Sequence, residues 1–231
     1  LDMEGPAMKN IYAACVLAAL TLCAQAQPIQ GVTETTPYSF LQGGRVVGHA
    51  TEIVEATLQR AGLADYRIGL YPWARAYDLA LKEPNVLIYL IARTPAREAQ
   101  FKWVGEFMRI DYHFYKLRSR ADVTLNQADD ARAYVIGVTR DDVRHQHLLA
   151  KGYTKLVVSG QALDNFSKLL NGQVQLLALP ENDAAVLCQQ ARFNCNGLER
   201  LVPLEGASTA LYMAFSAATA DATVDRARRA F

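Results

Sequence analysis

The chain reads as an α/β protein made of two successive parallel-sheet units. Short apolar runs alternate with helical patterns along most of its length, a long extended stretch interrupts that alternation near the middle, and a second one follows near the C-terminus. Strand-helix-strand alternation implies mostly parallel sheets with helices on their faces. Two such series joined by extended crossings suggest two lobes, with the last residues returning to the first.

In order, the first series pairs Ile29 to Thr33 with a helix over Gly48 to Ala61, Tyr66 to Leu70 with Trp73 to Lys82, and Val86 to Ile91 with Thr94 to Gln100. The first helix places Ile53, Val54, Ala56, Thr57, Leu58 and Ala61 on one side and Glu52, Glu55, Gln59 and Arg60 on the other, and Gly62 stops it. Phe107 to Ser119 is the long extended stretch, rich in aromatic and β-branched residues. The second series then runs Tyr134 to Val138, a helix from Asp141 to Lys151, Leu156 to Val158, a helix Gln161 to Asn171, Val174 to Leu179 and a helix Glu181 to Arg192. Ala210 to Ser216 is the second extended stretch, and a helix from Ala220 ends abruptly in RARRAF, which suggests that it is cut short.

Residues 1–7 read as an expression scar and residues 8–26 as a secretory signal peptide: Met8, one Lys, an apolar run from Ile11 to Cys23, then the small-x-small site Ala24-Gln25-Ala26. The run is too short for a stable membrane anchor. Lipidation at Cys23 is the weaker reading, because Leu22 stands where a small residue belongs. Cleavage leaves Cys188 and Cys195, an even pair in an oxidising compartment, which predicts a disulfide contributing roughly 2 to 3 kcal/mol. A metal site there lacks partners, since no His lies near either Cys.

Lys plus Arg (24) nearly balance Asp plus Glu (23), and the basic residues are scattered, so nucleic acid is excluded as a partner. The one dense basic cluster, Arg226, Arg228 and Arg229, fits a solvated helix face. No serine-hydrolase elbow, zinc-protease motif or phosphate-binding loop occurs, and no cofactor is expected. Asp141, Asp142, His145 and His147 superficially suggest a metal site but read as exposed polar helix surface. His49 and His113 have no visible partner in sequence.

The stretch VLIYLIARTPARE, Val86 to Glu98, carries the sharpest functional signal. A buried strand runs straight into a helix start carrying Arg97, where backbone N–H groups favour an anion and a guanidinium can bond it bidentately. The plainer alternative is a solvated Arg97 pairing with Glu98.

With TETTPYSFLQGGRVVGHATEIVEATLQRAGL, YPWARAYDLAL, VLIYLIARTPAREAQFKWVGEF, YVIGVTRDDV, DNFSKLLNGQVQLLALP and ALYMAFS in this order and spacing, the chain resembles the extracellular solute-binding proteins of family 3, type 2 periplasmic binding proteins of amino-acid ABC transporters. The resemblance implies a two-lobed periplasmic-binding-protein-like II fold (Venus flytrap) with two hinge strands, lobe I over 27–112 and 209–231 and lobe II over 113–208. It further implies a monomer that closes on a small carboxylate ligand and is recognised by ABC transporter membrane subunits, with no stable membrane insertion.

By resemblance, Arg97 holds the ligand carboxylate. The family often has hydroxyls five and seven residues before this Arg, where this chain has Ala92 and Leu90. Thr139 and Arg140 occupy the lobe II turn that adds donors, although Thr139 also fits as a helix cap and nothing more. The family's ammonium-binding Asp is replaced by Leu179-Pro180-Glu181-Asn182-Asp183, so Glu181 or Asp183 serves from a neighbouring position or merely starts a helix. Tyr38 and Phe40 are the expected aromatic walls, and Trp73 and Arg75 the cleft edge, with core packing the alternative for Trp73. A second guanidinium at Arg75 would suit a ligand with more than one acidic group. A few proteins of this fold resemble cyclohexadienyl dehydratases, in which case Glu181 or Asp183 would act as general acid; a ligand-sensing partner of a membrane receptor is the other alternative.

Overall fold

A computed structural model describes residues 28–231; the expected scar and signal peptide lie outside the described residues. Twelve strands and six helices are described in three sheets. The first sheet contains β1 (Ile29–Thr33), β4 (Tyr66–Leu70), β5 (Val86–Ala92), β6 (Phe101–Ile110) and β12 (Thr209–Ser216) in the order β4-β1-β5-β12-β6. The second contains β7 (His113–Leu117), β8 (Ile136–Thr139), β9 (Leu156–Ser159), β10 (Leu176–Leu179) and β11 (Leu198–Pro203) in the order β11-β7-β10-β8-β9. Each sheet has a parallel trio, β4-β1-β5 or β10-β8-β9, flanked by antiparallel strands. The small third sheet is a hairpin of β2 (Phe40–Gln42) and β3 (Arg45–Val47), a segment with no strand among the elements expected from sequence.

Strand β5 shows why lobe I holds together. All seven of its residues are buried, as expected for a strand covered on both faces. Leu87 and Tyr89 pack with Val54 and Leu58 of α1 (His49–Arg60) and with Val224 and Ala227 of α6 (Asp221–Ala230). Val86 and Ile88 pack on the other face with Ala76, Tyr77 and Ala80 of α2 (Trp73–Lys82). Ile53, expected on the inner side of α1, is exposed. Lobe II repeats the arrangement: Ile136 and Leu176 pack with Leu148 of α3 (Val143–Ala150), while Leu177 and Leu179 pack with Phe166 and Leu169 of α4 (Ala162–Leu170) and Leu187 of α5 (Glu181–Gln190). Cys188 and Cys195 form the disulfide.

The long stretch 107–119 is two strands, because its halves pair in different sheets; the chain crosses at Asp111-Tyr112, between β6 and β7. The return crossing is residues 204–208, and β12 itself is a central strand of the first sheet. Phe231, after α6, stacks edge-on against Phe107 and covers Gly105.

Three positive-φ residues lie in or next to segments that line the cleft or its rim. Leu90 has φ +60° where the β5–β12 register slips, a bulge whose left-handed residue costs roughly 1–2 kcal/mol. Asp141 also has φ +62°, so α3 begins at Val143 rather than Asp141, with Asp142 as its N-cap. Gly48 has φ +118°, and a Cβ there would lie 2.5 Å from the Tyr38 carbonyl oxygen. Only glycine therefore lets the Tyr38 loop seat on α1, where the Ala50 N–H donates to that same oxygen.

Candidate ligand cleft

A cleft opens between the lobes at the C-terminal ends of β1, β5 and β10, where open parallel sheets bind ligands. Its walls include Glu34, Tyr38, Trp73, Leu90, Ala92 and Arg97 from lobe I, Tyr112 from the first crossing, and Asp142, Arg144 and Asp183 from lobe II. About 40 Å³ is open to the centre of a water-sized sphere, enough for only a few small groups. The lobes meet directly: Asn182 Nδ2 donates to Tyr38 Oη (2.9 Å), Ala74 N–H to the Gly160 carbonyl (3.2 Å), and Arg97 Nη2 to the Asp141 carbonyl.

Arg97 is 1% exposed. Thr94 and Pro95 lead the chain into a 3-10 turn, Pro95–Gln100, in place of the expected α-helix, so the anion-binding capacity rests on the guanidinium and not on a helix dipole. Nη1 donates to the Ala92 carbonyl (3.0 Å), the group lies over the rings of Tyr77 and Trp73 (5.0 and 5.9 Å to the centroids), and Nε has no partner. The expected alternative, pairing with Glu98, is taken by Arg93 instead.

Arg144 is the second buried guanidinium. It grips Asp142 through two hydrogen bonds (2.6 and 2.7 Å), donates to the Ala178 carbonyl (2.9 Å) and stacks on Tyr112. Burial alone would push the Asp142 carboxyl up, but the charge and hydrogen bonds of Arg144 hold it below its ordinary range. Burial likewise opposes the Arg144 charge, and Asp142 overrides that and raises its pKa.

Glu34 and Asp183 face the same charges, and their carboxyl groups form no hydrogen bond or ion pair among the described residues. Burial pushes Glu34 up to about 8, with Arg144 pulling down and Asp142 and Asp183 pushing up further. Burial raises Asp183 to about 6, again against Arg144. Glu34 itself is half-buried at the cleft wall.

The sequence-based candidates separate into two groups. Arg97, Tyr38, Trp73 and Asp183 line the cleft. Phe40 lies in the β2–β3 hairpin away from it, 37% exposed. Arg75 and Arg140 lie together on the outer rim, Arg75 stacked on Tyr71 and Arg140 beside Asp141. Thr139 points behind the second sheet, accepting from Asn165 Nδ2 (3.2 Å), and it is not the helix cap, a role Asp142 takes. Glu181 faces solvent and pairs with Arg200.

Asp142, read from sequence as exposed, is buried because its partner Arg144 stands two residues on. No cluster of potential metal ligands occurs among the described residues. Glu34, Tyr112 and Arg144 were missed. Glu34 directly follows β1, so its place at a strand C-terminus was the available signal; nothing local marks Arg144 or Tyr112 as cleft residues.

No family model matches the chain, and no curated protein matches its sequence. Solved structures do. A histidine kinase sensor domain with similarity to periplasmic binding proteins aligns over 88% of both chains at 15% identity, TM-score 0.76. The Gly52Ala mutant of arginine-bound ArgBP from T. maritima aligns over 88% of this chain and 93% of its own at 13% identity, TM-score 0.73. The arginine-, lysine-, histidine-binding protein ArtJ from Geobacillus stearothermophilus aligns over 88% of both chains at 18% identity, TM-score 0.73. At these identities the likeness is one of fold: the chain has the two-lobed periplasmic-binding-protein architecture. No helix of the described residues is long and apolar enough to cross a membrane.

Proposed function

We propose that this protein is a periplasmic solute-binding protein that captures a small carboxylate-bearing polar solute, an amino acid or related acid, between its lobes and delivers it to an ABC transporter. The observation that carries the reading is Arg97: a guanidinium removed from solvent in an inter-lobe cleft, with an unpartnered N–H and, among the described residues, no carboxylate bonded to it. Similar folds in ArgBP, ArtJ and the substrate-binding protein of an amino acid ABC transporter support it. Ligand contacts made by both lobes would favour the closed state in proportion to their difference between open and closed forms. Three acids stand beside two guanidiniums in the cleft, so a ligand bearing an ammonium as well as a carboxylate suits it better than a dicarboxylate. The candidates Phe40, Arg75, Thr139, Arg140 and Glu181 have no part in this reading.

Mass spectrometry of solute released from denatured protein, followed by calorimetry with amino acids and dicarboxylates, tests it. Arg97→Ala should weaken carboxylate binding about 100-fold or more, the cost of losing one partner of a buried charged pair. Unchanged binding would overturn the assignment.

A second reading has its own observation. Glu34 and Asp183 are protonatable near neutral pH and share a cleft with Arg97, as a general acid acting on a cyclohexadienyl acid would require. Incubation with such an acid should then yield an aromatic product, detected by its ultraviolet absorbance and lost in Asp183→Asn.

A further inference from the structure

Five buried side-chain polar atoms among the described residues lack a hydrogen-bond partner, and the two that belong to cleft-lining residues are both donors: Arg97 Nε and Trp73 Nε1. Trp73 is the first residue of α2 and is 4% exposed. Its ring packs at 6.0 Å from Tyr77, and the Arg97 guanidinium lies 5.9 Å from its centroid, so the two side chains belong to one wall of the cleft. The chain's other tryptophan, Trp103, places its Nε1 3.2 Å from the Glu98 carbonyl, as a buried indole usually does. An indole nitrogen can only donate, and leaving it buried and unpaired is costly. The neighbouring wall positions Leu90 and Ala92 bring no hydroxyl.

We propose that the Trp73 indole N–H is a ligand-binding donor that, with Arg97 Nε, receives the oxygens of the solute carboxylate, making Trp73 a specificity-determining residue and not only an aromatic wall. The inference rests on the carboxylate-binding reading above. An oxygen presented to Trp73 and Arg97 satisfies two otherwise unpaired donors at once. A site built to bond a group discriminates strongly against analogues that lack it, because its own buried groups are then left unpaired. The carboxamide of the same solute, offering one acceptor and an NH₂, meets an N–H with an N–H and should be rejected.

With two tryptophans, ¹⁵N-labelled protein gives two indole N–H signals, which Trp73→Phe and, independently, Trp103→Phe assign. Wild-type protein is titrated with glycine, L-alanine, L-arginine, L-glutamate, succinate and acetate, and with alaninamide and argininamide as controls. A carboxylate that binds should move the Trp73 indole proton downfield and slow its exchange with solvent, leaving the Trp103 signal in place. Trp73→Phe, which keeps an aromatic ring, should bind the same carboxylate about 10- to 100-fold more weakly, the worth of a hydrogen bond to a charged group, without lowering the melting temperature of the free protein. A carboxylate that binds wild type without moving the Trp73 signal, or binds Trp73→Phe equally well, overturns the donor role and leaves the carboxylate site standing. If none of the carboxylates binds, the carboxylate site itself fails, and the donor role with it.

Discussion

Arg97 and Arg144 line the same cleft, one from each lobe, and both are almost fully removed from water. Their partners differ. Arg144 has its own carboxylate, Asp142, held bidentately within lobe II and also capping α3. Arg97 donates to main-chain carbonyls, lies against aromatic faces and keeps an unpaired Nε, with no carboxylate bonded to it among the described residues. A buried charge with an internal counter-charge is part of the architecture, whereas one without it keeps capacity for an external anion. The contrast separates two residues that look equivalent by type, burial and position.

The largest effect should come from removing the internally paired guanidinium. Arg144→Ala leaves Asp142 buried and unpaired, and chemical denaturation should show a loss of about 3–5 kcal/mol. Arg97→Ala strands no carboxylate, and the same measurement should show a clearly smaller loss, while binding collapses. Equal destabilisation by the two substitutions would erase the distinction.

Next in size is the pH dependence of the unpaired acids. Glu34, with its folded pKa raised from 4.5 to about 8, holds more protons folded than unfolded between those values, so its contribution makes stability fall as pH rises through that window. Asp183 acts in the same direction between 3.8 and about 6. Glu34→Gln should therefore melt higher than wild type at pH 8, by roughly 3–8 °C for a gain of about 1–3 kcal/mol. The difference should vanish near pH 4, where both side chains are neutral; a gain that persists there would point to packing instead of charge.

The smallest effect concerns the lobe contact itself. Tyr38→Phe removes the acceptor for Asn182 and should cost about 0.5–1.5 kcal/mol of closed-state stability, seen as a wider particle by small-angle scattering at equal ligand saturation.

Most of the lobe I elements were legible because each carries its own local signal. The run 86–92 is apolar throughout and long enough only for a covered strand, and the periodicity around Val54 and Leu58 reports a helix lying on it. The β2–β3 hairpin was not legible: its three-residue strands carry little pattern, and none of β2 is buried. Extended stretch 107–119 was recognised as strand-like, but periodicity within a segment cannot say which sheet each half joins. In the cleft, Arg97 announced itself by following a buried strand directly. Glu34 lay within reach of the same reasoning, since it follows β1, whereas Arg144 sits in a polar helix start that reads as surface.

The sequence by itself determined the alternation of strands and helices, the two-lobed arrangement and the Cys188–Cys195 pairing, and it marked Arg97 as a candidate, because each follows from residues adjacent in the chain or from the counting of a few groups. Only the tertiary structure decided which charges meet. Asp142 pairs with Arg144 inside lobe II, Arg93 in place of Arg97 takes Glu98, Glu181 turns outward to Arg200, and Glu34 and Asp183 arrive from opposite lobes without a partner. Electrostatic energies depend on distance and desolvation, which are properties of the packed lobes and not of spacing along the chain.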